Sequence, residues 1–278
     1  MTGKDIRMGK LFSGGHPVII AMDHGSYMGP FDGLRDITRE INQFSKADAL
    51  LLMPGMAKRC GPFFARKDAP LCIIRLNWAA HYCKPHMEEF ARIKKDAYYN
   101  KGYNVSFADV KYAVSLGADI VIASLLLGTD EEANTKNITE FGSLVQQADR
   151  IGIPLIGEFI PMGGIDRYKG DLLDLTLGTR ACAEFGADMI KTVFVDNFEE
   201  VSGSSVVPVL ALGGGTFDHP SEAFATARRA IEKGAAGVVY GRNVICAKKP
   251  AAYLDCLLDV VKNNASPEDA EKHYLSVV

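Results

Sequence analysis

The chain has 278 residues, of which 47% are hydrophobic and 23% are charged, a composition typical of a folded globular protein. Thirty-one Lys and Arg stand against 34 Asp and Glu, and the net charge of -3 is spread without long blocks of one sign, which argues against nucleic acid as a partner. The first residues lack the apolar core of a signal peptide, and no segment has the length of a membrane span. We therefore expect a cytoplasmic protein that does not bind membranes.

Eight short apolar runs rich in Val, Ile and Leu recur along the chain, and a longer stretch with helical periodicity follows each. This alternation is typical of parallel strands joined by crossover helices. One α/β barrel accommodates a chain of this length, so we predict a single (β/α)8 (TIM) barrel domain over residues 1–278. The predicted strands are Pro17–Met22, Ala49–Met53, Leu71–Leu76, Asp119–Ser124, Pro154–Phe159, Asp188–Val193, Val207–Leu212 and Gly237–Tyr240.

Three of these strands follow a Gly-Ala-Asp or Gly-Ala-Ala turn, which begins at Gly117, Gly186 or Gly234. Glycine readily adopts the left-handed conformation that ends a helix, so each turn predicts a corner from helix to strand. The polar and aromatic segment from His81 to Asn104 breaks the rhythm, and we interpret it as an enlarged loop after strand 3. Such a loop either covers the barrel mouth or mediates oligomer contacts. Residues after Pro267 predict a short C-terminal helix.

Active sites of such barrels lie at the carboxyl ends of the strands, so polar residues there are the candidates. The first predicted strand is followed by Asp23 and His24, and by glycines that let the backbone approach a ligand closely. Asp23 is a candidate catalytic residue, with helix capping or a turn as the alternative. His24 is a second candidate, with a structural hydrogen bond as its alternative.

The sixth predicted strand carries a lysine, Lys191, within an apolar run. A lysine is rarely buried without a partner. Desolvation favours the neutral amine, which attacks carbonyls to form Schiff bases. Lys191 is therefore the candidate nucleophile, and the alternative is a lysine at a strand edge that reaches water.

The six cysteines are scattered, without a C-x-x-C pair or His partners at the spacing of a zinc site. We expect reduced thiols and no bound metal.

These features resemble the DhnA-like class I aldolases, a family that includes archaeal-type fructose-bisphosphate aldolases, a heptulosonate synthase and the thiolase that degrades phosphorylated autoinducer-2. The resemblance covers nearly the whole chain, and four motifs in order carry it: Asp23-His24-Gly25 with Gly29-Pro30, Gly186 to Lys191, Gly213-Gly214-Gly215, and Gly241-Arg242-Asn243-Val244.

The resemblance implies a role for each motif. Lys191 would form the Schiff base, and Asp23 would transfer protons or orient the bound carbon chain. The loops after strands 7 and 8 would bind a substrate phosphate through freed backbone amides and a basic side chain. The residues so implied are Gly213, Gly214, Gly215, Gly241 and Arg242.

One motif departs from the family. The tyrosine that serves the aldolases as acid or base falls here on Ile160, which has no proton to donate. Glu158 lies two residues earlier, so by alternation it shares a strand face with Ile160 and points inward. Glu158 is either a replacement acid or base, a contact for a substrate hydroxyl, or one half of a structural ion pair.

The loop from Met22 to Leu34 and the ending His273-Tyr274-Leu275-Ser276 are more similar to the thiolase branch, which also lacks the tyrosine.

The function expected first is a class I aldolase, acting as lyase or transaldolase on a small phosphorylated or otherwise anionic ketose, without a cofactor. The alternative is a thiolase that acts on a phosphorylated diketone with coenzyme A as co-substrate. A non-catalytic phosphosugar-binding barrel and an isomerase without covalent chemistry also remain open. The family further implies a homo-oligomer.

Overall fold

A computed structural model of the chain describes residues 2–79, 103–128, 130–161 and 171–278. Its strands are β1 (Val18–Ala21), β2 (Ala49–Leu52), β3 (Leu71–Arg75), β4 (Asn77–Ala79), β5 (Asn104–Ser106), β6 (Ile120–Leu125), β7 (Leu155–Phe159), β8 (Met189–Val193), β9 (Val209–Leu212) and β10 (Gly237–Tyr240). Eight of them close into a parallel barrel in the order β1-β10-β9-β8-β7-β6-β3-β2. The predicted (β/α)8 barrel is therefore confirmed.

Each predicted apolar run overlaps one barrel strand, with small differences at the ends. Strand β6 begins and ends one residue later than predicted, and β9 begins at Val209, two residues later. Pro208 has no N–H to donate to a neighbouring strand, which accounts for the late start of β9. The glycines of the three turns, Gly117, Gly186 and Gly234, have φ of 93°, 101° and 89°, so the helix-to-strand corners are left-handed as predicted.

Helices follow the barrel strands, and aspartates begin several of them. Asp130 accepts a hydrogen bond from the Ala133 amide, and Asp171 accepts one from the Leu173 amide. The helices are α1 (Gly3–Leu11), α2 (Gly25–Met28), α3 (Ile37–Glu40), α4 (Pro54–Arg59), α5 (Gly61–Phe64), α6 (Val110–Ser115), α7 (Glu131–Ile151), α8 (Leu172–Glu184), α9 (Phe198–Ser204), α10 (Pro220–Glu232), α11 (Arg242–Ile245), α12 (Pro250–Lys262) and α13 (Pro267–Val277), with a 3-10 turn at Ile41–Phe44. Helix α13 contacts α10 and α12.

Alternate strand residues fill the barrel centre, because successive side chains point to opposite faces of a strand. The lower layers are apolar and include Ile73, Ile122, Ile156 and Met189, and Leu11 of α1 packs against them. The next inward positions toward the carboxyl ends of these strands are polar. They are Arg75, Ser124, Glu158 and Lys191.

Strands β4 and β5 pair antiparallel as a separate two-stranded sheet, with Asn77 opposite Ser106 and Ala79 opposite Asn104. The enlarged loop predicted at residues 81–104 lies almost entirely outside the described residues. Its place over the barrel mouth or at an oligomer contact remains a prediction. Within the described part of the chain, no helix has both the length and the apolar character needed to cross a lipid bilayer.

Candidate active site

A pocket opens at the carboxyl ends of the barrel strands, with a volume of about 720 Å3 that includes its open mouth. It brings together most of the residues singled out from the sequence. Asp23 and Gly215 are not among the residues that line it. Those that line it are His24, Glu158, Lys191, Gly213, Gly214, Gly241 and Arg242.

Lys191 lies in β8 and is only 7% exposed, which excludes a lysine that reaches water from a strand edge. Its Nζ donates a hydrogen bond to Oε1 of Glu158 over 2.6 Å. The two residues are opposite each other in the register of β7 and β8. The sequence argument considered only the burial of Lys191. In the structure, a carboxylate also directly faces its amine.

Glu158 points inward, where its alternation with Ile160 placed it. Oε1 also accepts from Nη2 of Arg75 at 3.0 Å, and Oε2 accepts from Nη1 of Arg75 at 2.8 Å and from the Ser124 hydroxyl. Burial opposes ionisation, but the Arg75 guanidinium and the Lys191 ammonium outweigh it and hold the pKa of the Glu158 carboxyl well below its usual range. Glu158 is therefore a carboxylate at neutral pH.

Arg75 and Ser124 belong to this site, and the sequence argument missed both. Arg75 is 4% exposed, ends β3, and donates to Asp23, Ser124 and Glu158. The sequence marks Arg75 in the same way as Lys191, because each is a cation within an otherwise apolar run. Ser124 carries a weaker signal, since serine occurs commonly at strand ends.

Asp23 lies beneath the pocket wall, 1% exposed, with Oδ2 bound to Nε of Arg75. Burial alone would raise the pKa of the Asp23 carboxyl, but the Arg75 guanidinium outweighs burial and keeps it below its usual value. Among the described residues, Oδ1 of Asp23 has no hydrogen-bond partner. Its side chain does not cap helix α2, which begins after His24. A buried, ionised and half-satisfied carboxylate thus lies next to the pocket.

His24 lines the pocket as a neutral imidazole. Burial lowers the pKa of His24 to about 4. Nδ1 lies 3.1 Å from the Ala21 carbonyl oxygen, so in the neutral ring Nδ1 carries the proton and Nε2 is the acceptor. A Cβ at Gly241 would lie 2.4 Å from Cε1 of His24, so only glycine leaves room for this ring. The loops after β1 and β10 therefore fit against each other.

The glycine-rich wall of the pocket comes from the loops after β9 and β10. Gly214 has φ of +70°, a conformation that favours glycine, and its carbonyl oxygen lies 3.4 Å from Nη2 of Arg242. The Gly215 carbonyl accepts from Asn243 instead, and Gly215 lines a neighbouring depression. The pocket thus combines one buried amine with the guanidinium groups of Arg75 and Arg242 and a glycine-rich wall.

Comparisons with known proteins agree with this geometry. The sequence matches the family described as DeoC/LacD family aldolase over residues 17–247. It is 32% identical to an uncharacterized aldolase of Saccharolobus solfataricus, over 98% of this chain and 99% of that protein. It is 31% identical to the 3-hydroxy-5-phosphonooxypentane-2,4-dione thiolase of Yersinia enterocolitica, over 98% of this chain and 87% of the thiolase.

A solved archaeal fructose-1,6-bisphosphate aldolase has the same fold, with a TM-score of 0.77 and 22% identity over 92% of this chain and 98% of that one. The family match covers most of the chain, and both relatives exceed 30% identity over nearly its full length. The resemblance to the class I aldolases is therefore confirmed, and the chain belongs to the DeoC/LacD aldolase family.

Proposed function

We propose that this chain is a class I aldolase that forms a Schiff base between Lys191 and the carbonyl of a small phosphorylated ketose. One observation carries the proposal: a buried lysine amine opens into the same pocket as Arg242 and the glycine-rich wall. A ligand fixed at its phosphate would present its carbonyl to the amine in a constant orientation, which is a large part of catalysis by such sites.

Gly213, Gly214, Gly241 and Arg242 are the part of the predicted cradle that lines the pocket. The Gly213 amide already donates to the Val239 carbonyl oxygen at 2.9 Å, so the phosphate would bind Gly214, Gly241 and Arg242. Backbone N–H groups in glycine-rich turns and an arginine side chain both hydrogen-bond phosphate oxygens. Gly215 lines a neighbouring depression instead of this pocket, and its carbonyl oxygen accepts from Asn243, so it contributes to the shape of the turn.

In the reaction, Lys191 gives up one proton to Nε2 of His24 and its nitrogen adds to the ketone carbon. A second amine proton passes to the former carbonyl oxygen, and His24 returns the first proton to that hydroxyl, which leaves as water as the iminium forms. The iminium keeps the positive charge that the ammonium had, next to the Glu158 carboxylate 2.6 Å from Nζ. Glu158 is a weak base, because its pKa lies well below the usual range, so it stabilises this charge and orients the amine. Ile160 lines the pocket and supplies no proton.

Proton transfer then falls to His24, while Asp23, whose carboxyl pKa is also lowered and which does not line the pocket, positions the charges beside it. The acceptor Nε2 of the neutral His24 belongs to a ring that lines the pocket. Oδ1 of Asp23 has no hydrogen-bond partner among the described residues and lies 3.6 Å from Nδ1 of His24. The iminium itself withdraws electrons from the neighbouring carbon-carbon bond, so the proposed reaction needs neither a metal nor an organic cofactor. A homo-oligomer, implied by the family resemblance, and a cytoplasmic location, expected from the sequence, complete the proposal.

A thiolase is the second candidate, because this chain is 31% identical to the Yersinia enterocolitica thiolase over 98% of its length. A thiolase would transfer an acyl group from a phosphorylated diketone to coenzyme A. Turnover that depends on coenzyme A would favour the thiolase, and turnover in its absence would favour the aldolase.

Borohydride trapping tests the shared first step. The protein is incubated with dihydroxyacetone phosphate and a panel of phosphorylated ketoses and diketones, reduced with sodium borohydride, and analysed by mass spectrometry of the intact chain and its peptides. We expect a ligand-dependent adduct at Lys191 that is absent in Lys191→Ala and unchanged in Lys46→Ala, whose lysine is 67% exposed. Ligand binding without an adduct would exclude the Schiff base and favour an isomerase or a binding protein.

A further inference from the structure

The chain leaves the barrel directly after Leu76, and the side chain of Asn77 continues the pairing of β3 with β6. Oδ1 of Asn77 accepts from the Ser124 amide at 2.7 Å, and its Nδ2 donates to the Ser124 carbonyl oxygen at 2.9 Å. One side-chain amide therefore satisfies both backbone groups of Ser124, as a neighbouring strand would. Asn77 is fully buried.

Two more asparagines, Asn104 and Asn137, form hydrogen bonds at the end of β6 from outside the barrel. Nδ2 of Asn104, on β5, donates to the Ser124 carbonyl oxygen at 2.8 Å. The Asn104 amide donates to Oδ1 of Asn137 on α7 at 2.9 Å, and Nδ2 of Asn137 donates to the Leu126 carbonyl oxygen at 3.1 Å. Asn104 is 7% exposed and Asn137 is 1% exposed. The hairpin, α7 and the end of β6 thus form one hydrogen-bonded unit.

Ser124 connects this unit to the candidate nucleophile. Its hydroxyl donates to Oε2 of Glu158 and accepts from Nη1 of Arg75 at 2.9 Å. Glu158 in turn holds Nζ of Lys191 with its other oxygen. Ser124, Glu158 and Lys191 are successive partners across β6, β7 and β8, so their side chains lie at one level of the barrel.

We propose that the hairpin β4–β5 and α7 position Lys191 from outside the barrel, through Asn104 and Asn137, then Ser124, then Glu158. This inference rests on the proposed Schiff-base function and deepens it, because it names positioning residues for the amine. Asn104 and Asn137 do not line the pocket, so they act on a substrate only through the residues that they hold.

The energetics favour positioning over a purely structural role. Oδ1 of Asn104 is buried without a hydrogen-bond partner among the described residues. An unsatisfied buried acceptor costs stability, and an apolar side chain of the same shape would avoid that cost. The asparagine is thus poorly suited to packing alone, while its Nδ2 and backbone amide both fix the orientation of β6.

The test uses Asn104→Leu and Asn137→Leu, which keep the branched side chain with the same number of heavy atoms and remove the amides. With the ligand that traps best on the wild type, we expect single-turnover trapping and kcat to fall about tenfold, while KM stays within about twofold. Thermal unfolding should change little in Asn104→Leu, because Asn77 still donates to the Ser124 carbonyl oxygen. Asn137→Leu leaves the Asn104 amide and the Leu126 carbonyl oxygen without this partner, so its unfolding temperature should fall. Ser124→Ala removes only the hydroxyl that contacts Glu158 and should slow trapping at least as much. Asn42→Ala, which removes an exposed amide, is the matched control.

A second measurement separates this inference from the proposed function. Lys191 is methylated with formaldehyde and cyanoborohydride without any substrate, and its rate is compared with that of the exposed Lys46 in the same sample. Release from Glu158 should speed methylation of Lys191 about fivefold in Asn104→Leu and Ser124→Ala. Wild-type methylation and trapping rates in both variants would overturn the positioning role. A wild type that never traps, with Lys191 methylation still accelerated in the variants, would contradict the Schiff-base function alone.

Discussion

Two carboxylates and two cations lie within hydrogen-bonding distance of one another inside the barrel, and none is more than 7% exposed. Each charge is acceptable in this dry environment because an opposite charge and several hydrogen bonds compensate it. The four residues are Asp23, Glu158, Arg75 and Lys191. Loss of a single member leaves its partner buried and uncompensated, which is costly.

Glu158→Gln tests this balance, because it removes the charge and keeps the shape. We expect the free energy of unfolding to fall by about 3 kcal/mol, since Arg75 and Lys191 lose their shared carboxylate. Trapping at Lys191 should also slow at least about tenfold. Denaturant titration measures the first effect. Glu184→Gln, which removes an exposed partner of Arg180, should change stability by no more than about 0.5 kcal/mol. Undiminished turnover would exclude Glu158 from catalysis.

His24 gives the protein a defined sensitivity to acid. The folded protein keeps the imidazole neutral down to a pKa of about 4, whereas the unfolded chain takes up a proton near 6.5. The unfolded state therefore binds more protons between these values, and stability falls as the pH falls from about 6.5 to about 4. The pKa values of Asp23 and Glu158 are lowered, so their contribution is lost only at still lower pH.

Between about pH 6.5 and pH 4, the free energy of unfolding of His24→Gln should fall less than that of the wild type, by up to about 3 kcal/mol. His273→Gln changes an exposed histidine and should keep the wild-type slope. Denaturant titrations at pH 7, 5.5 and 4.5 measure both variants. Equal slopes for the wild type and His24→Gln would show that the ring takes up its proton at the same pH in the folded and in the unfolded protein.

Sequence reasoning found Lys191 but missed Arg75, although both are cations in apolar runs. A lysine amine inside a strand indicates a specific reaction, the formation of a Schiff base. The role of an arginine guanidinium can be inferred only from the residues that it contacts. Those partners, Asp23 and Glu158, lie 52 and 83 residues away in the chain. No local pattern records such a contact.

At the level of elements, β7 and α8 pack with a close fit under the site. A Cβ at Gly178 of α8 would lie 2.2 Å from the ring of Phe159, the residue after Glu158. Phe159 is 4% exposed, so its ring has little room to move. Helix α8 thus approaches the barrel closely because one of its residues lacks a side chain.

Gly178→Ala should therefore destabilise the protein by about 2 kcal/mol, although alanine favours a helix more than glycine does. Gly142→Ala is the matched control in α7, where an added Cβ meets nothing within 4 Å. That variant should gain about 0.5–1 kcal/mol from helix propensity. Thermal or denaturant unfolding measures both changes. A stabilising Gly178→Ala would show that β7 and α8 separate easily.

Strand existence was predictable, because strands buried on both faces form continuous apolar runs and the turn glycines mark their starts. The hairpin β4–β5 was not predicted. Its two strands have three residues each, and they lie on either side of residues 80–102. The asparagines that join it to β6 have no periodicity that a pattern search detects. Polar contacts between distant segments remain the part of the site that only a three-dimensional structure provides.

For the whole molecule, the pocket couples ligand binding to global stability, because its walls come from strands all around the closed barrel. A ligand that binds only the folded state raises the unfolding temperature by mass action. Inorganic phosphate is the simplest probe of the proposed anchor at Arg242.

At ten times its Kd, phosphate should raise Tm by about 3 °C. Arg242→Ala should lose most of this shift, because the guanidinium is the cationic part of the anchor. Arg35→Ala, which removes a side chain that is 71% exposed, should keep it. Differential scanning fluorimetry across a phosphate series, at constant ionic strength, measures the shift. A full shift in Arg242→Ala would place the phosphate elsewhere.

The bidentate contact between Arg75 and Glu158 also constrains how this protein can diverge. Loss of either residue leaves the buried cluster with one unbalanced charge, although Glu158 would keep Lys191 and Arg75 would keep Asp23 as a partner. The two positions, 83 residues apart in the chain, are therefore expected to change together. Replacing one of the two before the other lowers stability, so a prior surplus of stability would be needed to carry the folded chain through the single-substitution intermediate.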